Sequence, residues 1–321
     1  MSKFKRSQRK YVKKSYRVRN WRAYEAGLRS RGSLTVWLSF TDGKLANWDA
    51  RKPSARKPGR QRKYSNHAIE TAVTLGMVFH LPSRQTEGFL RSLLALLGLN
   101  HDVPDHTTIS RRKAKLGKIA FYESARETPI HILIDSSGLA VHVGKLRRPP
   151  KNRDYRKLHL CVDEQTGEVV ASELMSKRAC DASRVQPLVG QIERPISSAR
   201  ADTAYDASCV YEALENHCAH RSPRVLIPPR KGAQLAPESA TTRQRNRNIR
   251  AQARVGKRMW HTESGYSKRS KVETTFYRYK AIVGSAMRAR GLRSQRVEAR
   301  IGCKILNTMT ALGMPDGVMV G

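Results

Sequence analysis

The chain holds 321 residues, with 62 Lys and Arg against 26 Asp and Glu, a formal charge of +36. So basic a balance excludes an ordinary enzyme of small metabolites and points to a polyanionic partner, because self-repulsion on that scale has to be offset. Hydrophobic residues still make up 39%, enough to build real cores, while no apolar run approaches the roughly 18 residues that a membrane span needs.

Met1–Arg6 is basic, but no apolar export core follows it. The five cysteines, Cys161, Cys180, Cys209, Cys218 and Cys303, are odd in number and show no CxxC pair. That argues against a disulfide framework or a zinc finger and suits a reducing cytosol. Cys209, His217, Cys218 and His220 lie close together, but no second ligand pair has finger spacing, and a helix carrying small and polar residues accounts for them.

Residues 1–19 carry nine Lys or Arg and no acid, and read as a mobile basic arm with Tyr11 and Tyr16 available for stacking. Residues 20–128 read as an N-terminal DNA-binding region. It opens with a short helix, Trp21–Leu28, and a strand-like run, Ser33–Ser39. A basic linker over 43–63 follows. Within it, seven of the thirteen residues 51–63 are basic, and two Pro and a Gly prevent a regular element. Such a segment either lies in a minor groove or touches phosphates without choosing one. Ser65 then caps a helix through Ala68–Phe79. A second helix over 84–97 aligns Phe89, Leu90, Leu93, Leu94 and Leu97, and a third begins at Thr107 or Thr108. Small helices ending in a short one with Ser110, Arg111 and Arg112 exposed predict a helix-turn-helix at about 84–118.

After Pro129 the texture changes. His131–Val143 is a strand buried on both faces. Lys157–Asp163 and Glu168–Leu174 form a hairpin. A helix (182–192), a strand (196–201), a helix (207–216) and a strand (224–228) follow. Residues 229–258 are a polar insertion with nine Lys or Arg and no periodicity, before helices over 266–284 and 295–312. This order predicts that 129–321 is a mixed α/β domain of the ribonuclease H-like kind, a mixed five-stranded sheet with flanking helices.

Three acids sit where chemistry would be placed. Asp135 interrupts an apolar strand, where a bare carboxylate is costly unless something pairs with it. Asp202 follows another apolar strand, and Glu273 lies in a basic helix. Singly, each could be an acid salt-bridged to Arg. Together they match a site in which carboxylates hold two Mg²⁺ ions for phosphodiester chemistry. Asp206 rivals Asp202 but is explained as a helix cap, and Asp163, Glu164 and Glu168 belong to a solvated turn. On one helix, Tyr266, Arg269, Glu273 and Lys280 fall within about a 60° arc, while Val272, Phe276, Tyr279 and Val283 form a separate apolar stripe. That face offers either a metal ligand flanked by phosphate-binding groups or an exposed salt-bridged surface.

Ile134-Asp135-Ser-Ser-Gly138, Ala201-Asp202-Thr-Ala-Tyr-Asp206 and Tyr266-x2-Arg269-x3-Glu273-x6-Lys280 resemble the three signatures of DDE transposases of bacterial insertion sequences. Trp21–Leu38, Arg84–Phe89 and Pro104–Arg112 resemble the insertion sequence 5 family, 903-like group, so the likeness runs from about residue 20 to 315. Thr203 stands where that family often has Gly. The resemblance implies a ribonuclease H-like catalytic domain and Mg²⁺ dependence, with Mn²⁺ able to substitute. It also implies excision and insertion of an element bounded by inverted repeats. By the same resemblance, Asp135, Asp202 and Glu273 are catalytic metal ligands, and Tyr266, Arg269 and Lys280 hold the transposon end. The partners implied are double-stranded DNA, both terminal repeats and target, and a second copy of the chain in a dimer on paired ends, in a bacterial cytoplasm at the nucleoid. The alternatives are a ribonuclease H-fold nuclease without strand transfer and a non-enzymatic, domesticated DNA-binding protein.

Overall fold

The computed structural model describes residues 15–38, 40–41, 44–45, 47–50, 61–117, 119, 121, 128–141, 155–217 and 222–320. The end of the expected basic arm is not free. β1 (Ser15–Val18) pairs antiparallel with β10 (Gly317–Val320), and Ser15 Oγ donates to the Val320 carbonyl at 3.0 Å. The partner strand, Gly-Val-Met-Val, is uncharged and remote in sequence, so no local signal announces the pairing. Residues 1–14 lie outside the described residues.

α1 (Trp21–Ser30) matches the expected first helix. The strand-like run after it is instead a single helical turn, α2 (Leu34–Trp37), because Trp37 is buried with its indole N–H donating to the Arg31 carbonyl at 2.9 Å. β2 (Phe40–Thr41) and β3 (Lys44–Leu45) pair antiparallel. Most of the expected linker, 51–60, lies outside the described residues.

α3 (Asn66–Val78) is capped by Ser65 Oγ, which accepts from Ala68 N at 2.9 Å. α4 (Ser83–Leu96) follows, and then α5 (His106–Lys113), which starts slightly before the expected Thr107 because Asp105 is the cap. The hydroxyls of Thr107 and Thr108 hold the Asp105 carboxyl well below the usual range. The connection between α4 and α5 spans 97–105, and it is α3 and α4 that are joined by a short turn, 79–82. Among the described residues, α4 and α5 are thus joined by a longer connection than the short turn expected of a helix-turn-helix.

The centre is a mixed sheet. β4 (Ile130–Val141), β5 (Tyr155–Asp163), β6 (Val169–Ser176), β7 (Ile196–Ala201) and β8 (Arg224–Leu226) lie in the order β6-β5-β4-β7-β8. β5 is antiparallel to β4 and β6, while β7 is parallel to β4 and β8. The expected five strands gain a sixth, β9 (Ala286–Met287), parallel to the far end of β4. Alternation along β4 sends Ile130, Ile132 and Ile134 to one face, where they pack with α6 (Val185–Val189) and α7 (Ser208–His217). Leu133 and Leu139 go to the other face, with α9 (Ser270–Ile282) and α10 (Leu292–Ala311). That second apolar cluster continues without a break into α3, α4 and α5, so the helical region and the sheet share one core.

The expected insertion without periodicity is largely a helix, α8 (Ala240–Glu263), opened by a Ser239–Thr242 capping box and bent at Gly256, whose φ is 78°. Ala251, Val255 and Trp260 pack with Leu226 and Tyr266 along its second half, while polar anchors dock its first half. Arg245 Nε donates to Asp206 at 2.9 Å, Asn248 Nδ2 to the Val225 carbonyl at 3.0 Å, and Asn246 exchanges two hydrogen bonds with the Ala236 backbone. A pattern of apolar residues cannot report such docking. Asp206, expected to cap a helix, is a fully buried anchor for α8 and also accepts from Arg230 N.

Candidate active site

Strand register builds the site. Ile134 pairs with Ala201 in the parallel β4–β7 ladder, so the next residues, Asp135 and Asp202, come side by side where β7 ends. β9 joins β4 only at Ala140 and Val141. Between these two ladders, β4 has no described strand along that edge, and Asp135 stands at the mouth of the notch. Places where parallel strands part are the usual ligand sites of α/β sheets.

Asp135 is largely buried. Its Oδ1 accepts from Ser136 N at 2.8 Å and its Oδ2 from Arg269 at 2.6 Å. Burial raises its pKa, and the neighbouring Asp202 carboxylate adds to the rise against the pull of Ser136 N–H and Arg269. Asp202 Oδ1 accepts from Ala204 N at 2.9 Å and so caps the 3₁₀ turn Thr203–Tyr205. Across the notch, Arg269 also donates to Glu273 Oε1 at 2.5 Å. One guanidinium thus bridges Asp135 and Glu273. Burial opposes the charge of Arg269, but Asp135, Tyr266 and Glu273 together hold its pKa above the ordinary value.

The expected helix over 266–284 begins later than its first signature residue. Tyr266–Arg269 form a 3₁₀ turn after Gly265, whose φ of 72° suits glycine, and α9 starts at Ser270. The apolar stripe is as expected: Val272, Phe276, Tyr279 and Val283 are all buried. The neighbouring face meets the sheet. Lys280 Nζ donates to Ser137 Oγ at 2.7 Å, and Ser137 is on the same face of β4 as Asp135. Tyr266 is buried against Trp260 and His261, at ring-centroid distances of 5.5 and 4.6 Å, and burial pushes its hydroxyl up to about 12.

The structure therefore brings Asp135, Asp202, Glu273, Tyr266, Arg269 and Lys280 together. Ser110 and Arg111 are exposed on α5. Arg112 instead donates to the Tyr64 carbonyl and, at 2.8 Å, to Asn66 Oδ1, and so ties α5 to the start of α3. Among the described residues no hydrogen bond or ion pair links these three to the carboxylates. Cys209 and His217 lie on α7, while Cys218 and His220 lie outside the described residues.

Asp163, Glu164 and Glu168, expected in a solvated turn, are all buried. Glu164 pairs with Arg200 and, at 2.8 Å, with Lys268, while its carbonyl accepts from Lys271 at 2.9 Å. This acid pins the turn before α9 onto the sheet, and it was hidden because all its partners are distant in sequence. A second hidden group lies behind Asp135. Ser136 and Lys157 both donate to Asp181, and buried His159 meets the Tyr205 hydroxyl at 3.2 Å. Small residues at 136–138 were the only sequence sign of it.

Two family models, each described as a transposase DDE domain, match residues 29–144 and 126–308. The chain belongs to the DDE transposase family. Its business is thus transposition and DNA recombination. Among solved structures, the transposase is similar to the piggyBac transposase synaptic complex with hairpin DNA, at 10% identity over 81% of this chain and 69% of that chain, with a TM-score of 0.34. It is also similar to the Mos1 mariner paired-end complex with Mn, at 12% identity over 82% of each chain, with a TM-score of 0.23. No helix among the transposase's described residues is long and apolar enough to cross a membrane.

The donor set suits a hard divalent cation: three carboxylates, two of them close enough that one raises the pKa of the other. Glu273 reaches this pair through Arg269, and among the described residues no three acidic, His or Cys side chains stand close enough to cage an ion as they are. Direct ligation by all three acids therefore needs the Arg269–Glu273 contact to open.

Proposed function

We propose that this DDE transposase is that of an insertion sequence of the insertion sequence 5 family, 903-like group. It binds the terminal inverted repeats, cleaves the ends and joins their 3′-hydroxyls to target DNA, acting as a dimer on paired ends in the bacterial cytoplasm. The observation that carries this is the register that sets Asp135 beside Asp202 at the notch, with Glu273 facing them across Arg269. The β6-β5-β4-β7-β8 order supports a ribonuclease H-like catalytic domain.

Asp135 and Asp202, with Glu273 once released by Arg269, would hold two Mg²⁺ ions, or Mn²⁺ in their place. Bound there, the metal would supply activation of a water or 3′-hydroxyl and stabilisation of the leaving oxygen. Ser136 N–H and the Ala204 N–H hold the two aspartates in orientation. Arg269 offers a bidentate fork, and Lys280 a point charge, to phosphates of the transposon end. Tyr266, packed on Trp260, would fix the turn from which Arg269 reaches.

The test uses purified full-length protein and a duplex carrying the DNA end that borders the gene. Asp135→Asn, Asp202→Asn and Glu273→Gln should each abolish Mg²⁺-dependent cleavage while end binding persists. Appreciable cleavage by any one variant removes that residue from the metal site. Cleavage by the wild type without joining of 3′-ends would favour a nuclease instead.

A further inference from the structure

The basic helix α8 has no part in the chemistry above, yet its charges are ordered. Taking about 100° per residue, Arg243, Arg247, Arg250 and Arg254 fall within about a 60° arc and span roughly 16 Å along the axis. All four are exposed. Arg250 has one exposed partner, Glu238, at 3.0 Å, and among the described residues the other three make no ion pair. Docking of the helix does not use them, since Arg245, Asn246 and Asn248 anchor it from other sides. Arginines at i, i+4 repel one another and weaken a helix, and no acid stands in its first turn to favour the dipole. Four aligned arginines thus weaken the helix locally.

The ridge also has a direction. Beyond the bend at Gly256, the exposed Lys257 and Arg258 lead to Trp260 and His261, whose rings pack on Tyr266. Tyr266 opens the turn that carries Arg269 to Asp135. The helix that carries the ridge thus ends on the turn that carries Arg269 to the notch. Guanidinium groups suit phosphate diesters because each presents a planar fork of donors.

We propose that the Arg243–Arg247–Arg250–Arg254 ridge is a backbone-tracking surface that holds the phosphates of duplex DNA, regardless of sequence, on its way to the Asp135–Asp202 notch. This rests on the transposase reading of the site and adds the path of its substrate. The DNA could be the element's own end or flanking and target DNA, and the chemistry recognised is the same.

The experiment measures binding by full-length protein, without divalent cation, as a function of salt on two probes. One is the duplex bordering the gene, and the other is an unrelated mixed-sequence duplex of equal length. Each phosphate contact contributes a slope of about −0.9 in log affinity against log salt. Each single Arg→Gln change should reduce the slope by about 1. The fourfold Arg→Gln variant should reduce it by about 3–4, which is about 100-fold of the affinity lost between 50 and 200 mM salt. The change should be equal on both probes, because phosphate contacts carry no sequence information. A fourfold Arg→Lys variant should restore the slope. An effect on the bordering duplex alone would assign the ridge to the element's end and overturn sequence-independent tracking. Unchanged slopes in the single variants, or failure of the lysine variant to restore the slope, would overturn the ridge itself. None of these outcomes touches the transposase reading, which stands or falls on metal-dependent cleavage by the wild type.

Discussion

His159 gives a prediction whose size can be worked out. It is fully buried in β5, its Nδ1 meets the Tyr205 hydroxyl at 3.2 Å, and its Nε2 has no hydrogen-bond partner. Burial lowers its pKa from 6.5 to about 4. Asp181, 3.9 Å from Nε2, pulls the other way, but Lys157 and Arg184 oppose it and Lys157 already binds that carboxylate at 2.6 Å. The folded state therefore holds His159 neutral, while the unfolded chain takes up a proton below pH 6.5. Stability is fully present above that value, is lost as pH falls from 6.5, and stops falling through this group below about 4. Between about pH 7 and about pH 4.5 the loss comes to about 2.5 kcal/mol. Urea denaturation of wild type and His159→Gln at the two pH values isolates the effect, since every other group titrates in both proteins. The variant should lose about 2.5 kcal/mol less than the wild type over that interval. Parallel losses in the two proteins would show that His159 titrates normally and is not held neutral by burial.

The packing behind Glu273 is tight enough to test from α10. A Cβ on Gly302 would meet the Tyr279 ring at 2.7 Å, so Gly302→Ala should cost about 1–3 kcal/mol by overpacking. Thermal unfolding would read that cost, and a lower end-cleavage rate in the still-folded protein would show that α9 had moved. Lys280→Ala removes the hydrogen bond to Ser137 and, on the proposed reading, a charge that meets phosphate, but no proposed metal ligand. Its cleavage rate should fall, and fall further as salt rises, with little change in the Mg²⁺ concentration for half-maximal rate. A wild-type rate and salt response would leave that face without a mechanistic part.

Some of this protein was open to a reader of the residues alone. The apolar run around Asp135 marked a doubly buried strand, Ser65 marked a helix start, and the stripe Val272–Phe276–Tyr279–Val283 marked the inward face of α9. In each case the signal is local, because the period of a strand or helix and the reach of a cap lie within a few residues. The three acids could also be picked out, as charged groups that apolar or basic surroundings do not explain. Their meeting could not be read so directly. It depends on the pairing of Ile134 with Ala201, and on Arg269 crossing to Asp135, both contacts between distant parts of the chain. The burial of Glu164, the β1–β10 pair and the polar docking of α8 were hidden for the same reason. A buried ion pair or a two-stranded ladder is stabilised by a partner far off in sequence, and no periodicity in either segment records which partner the fold will bring.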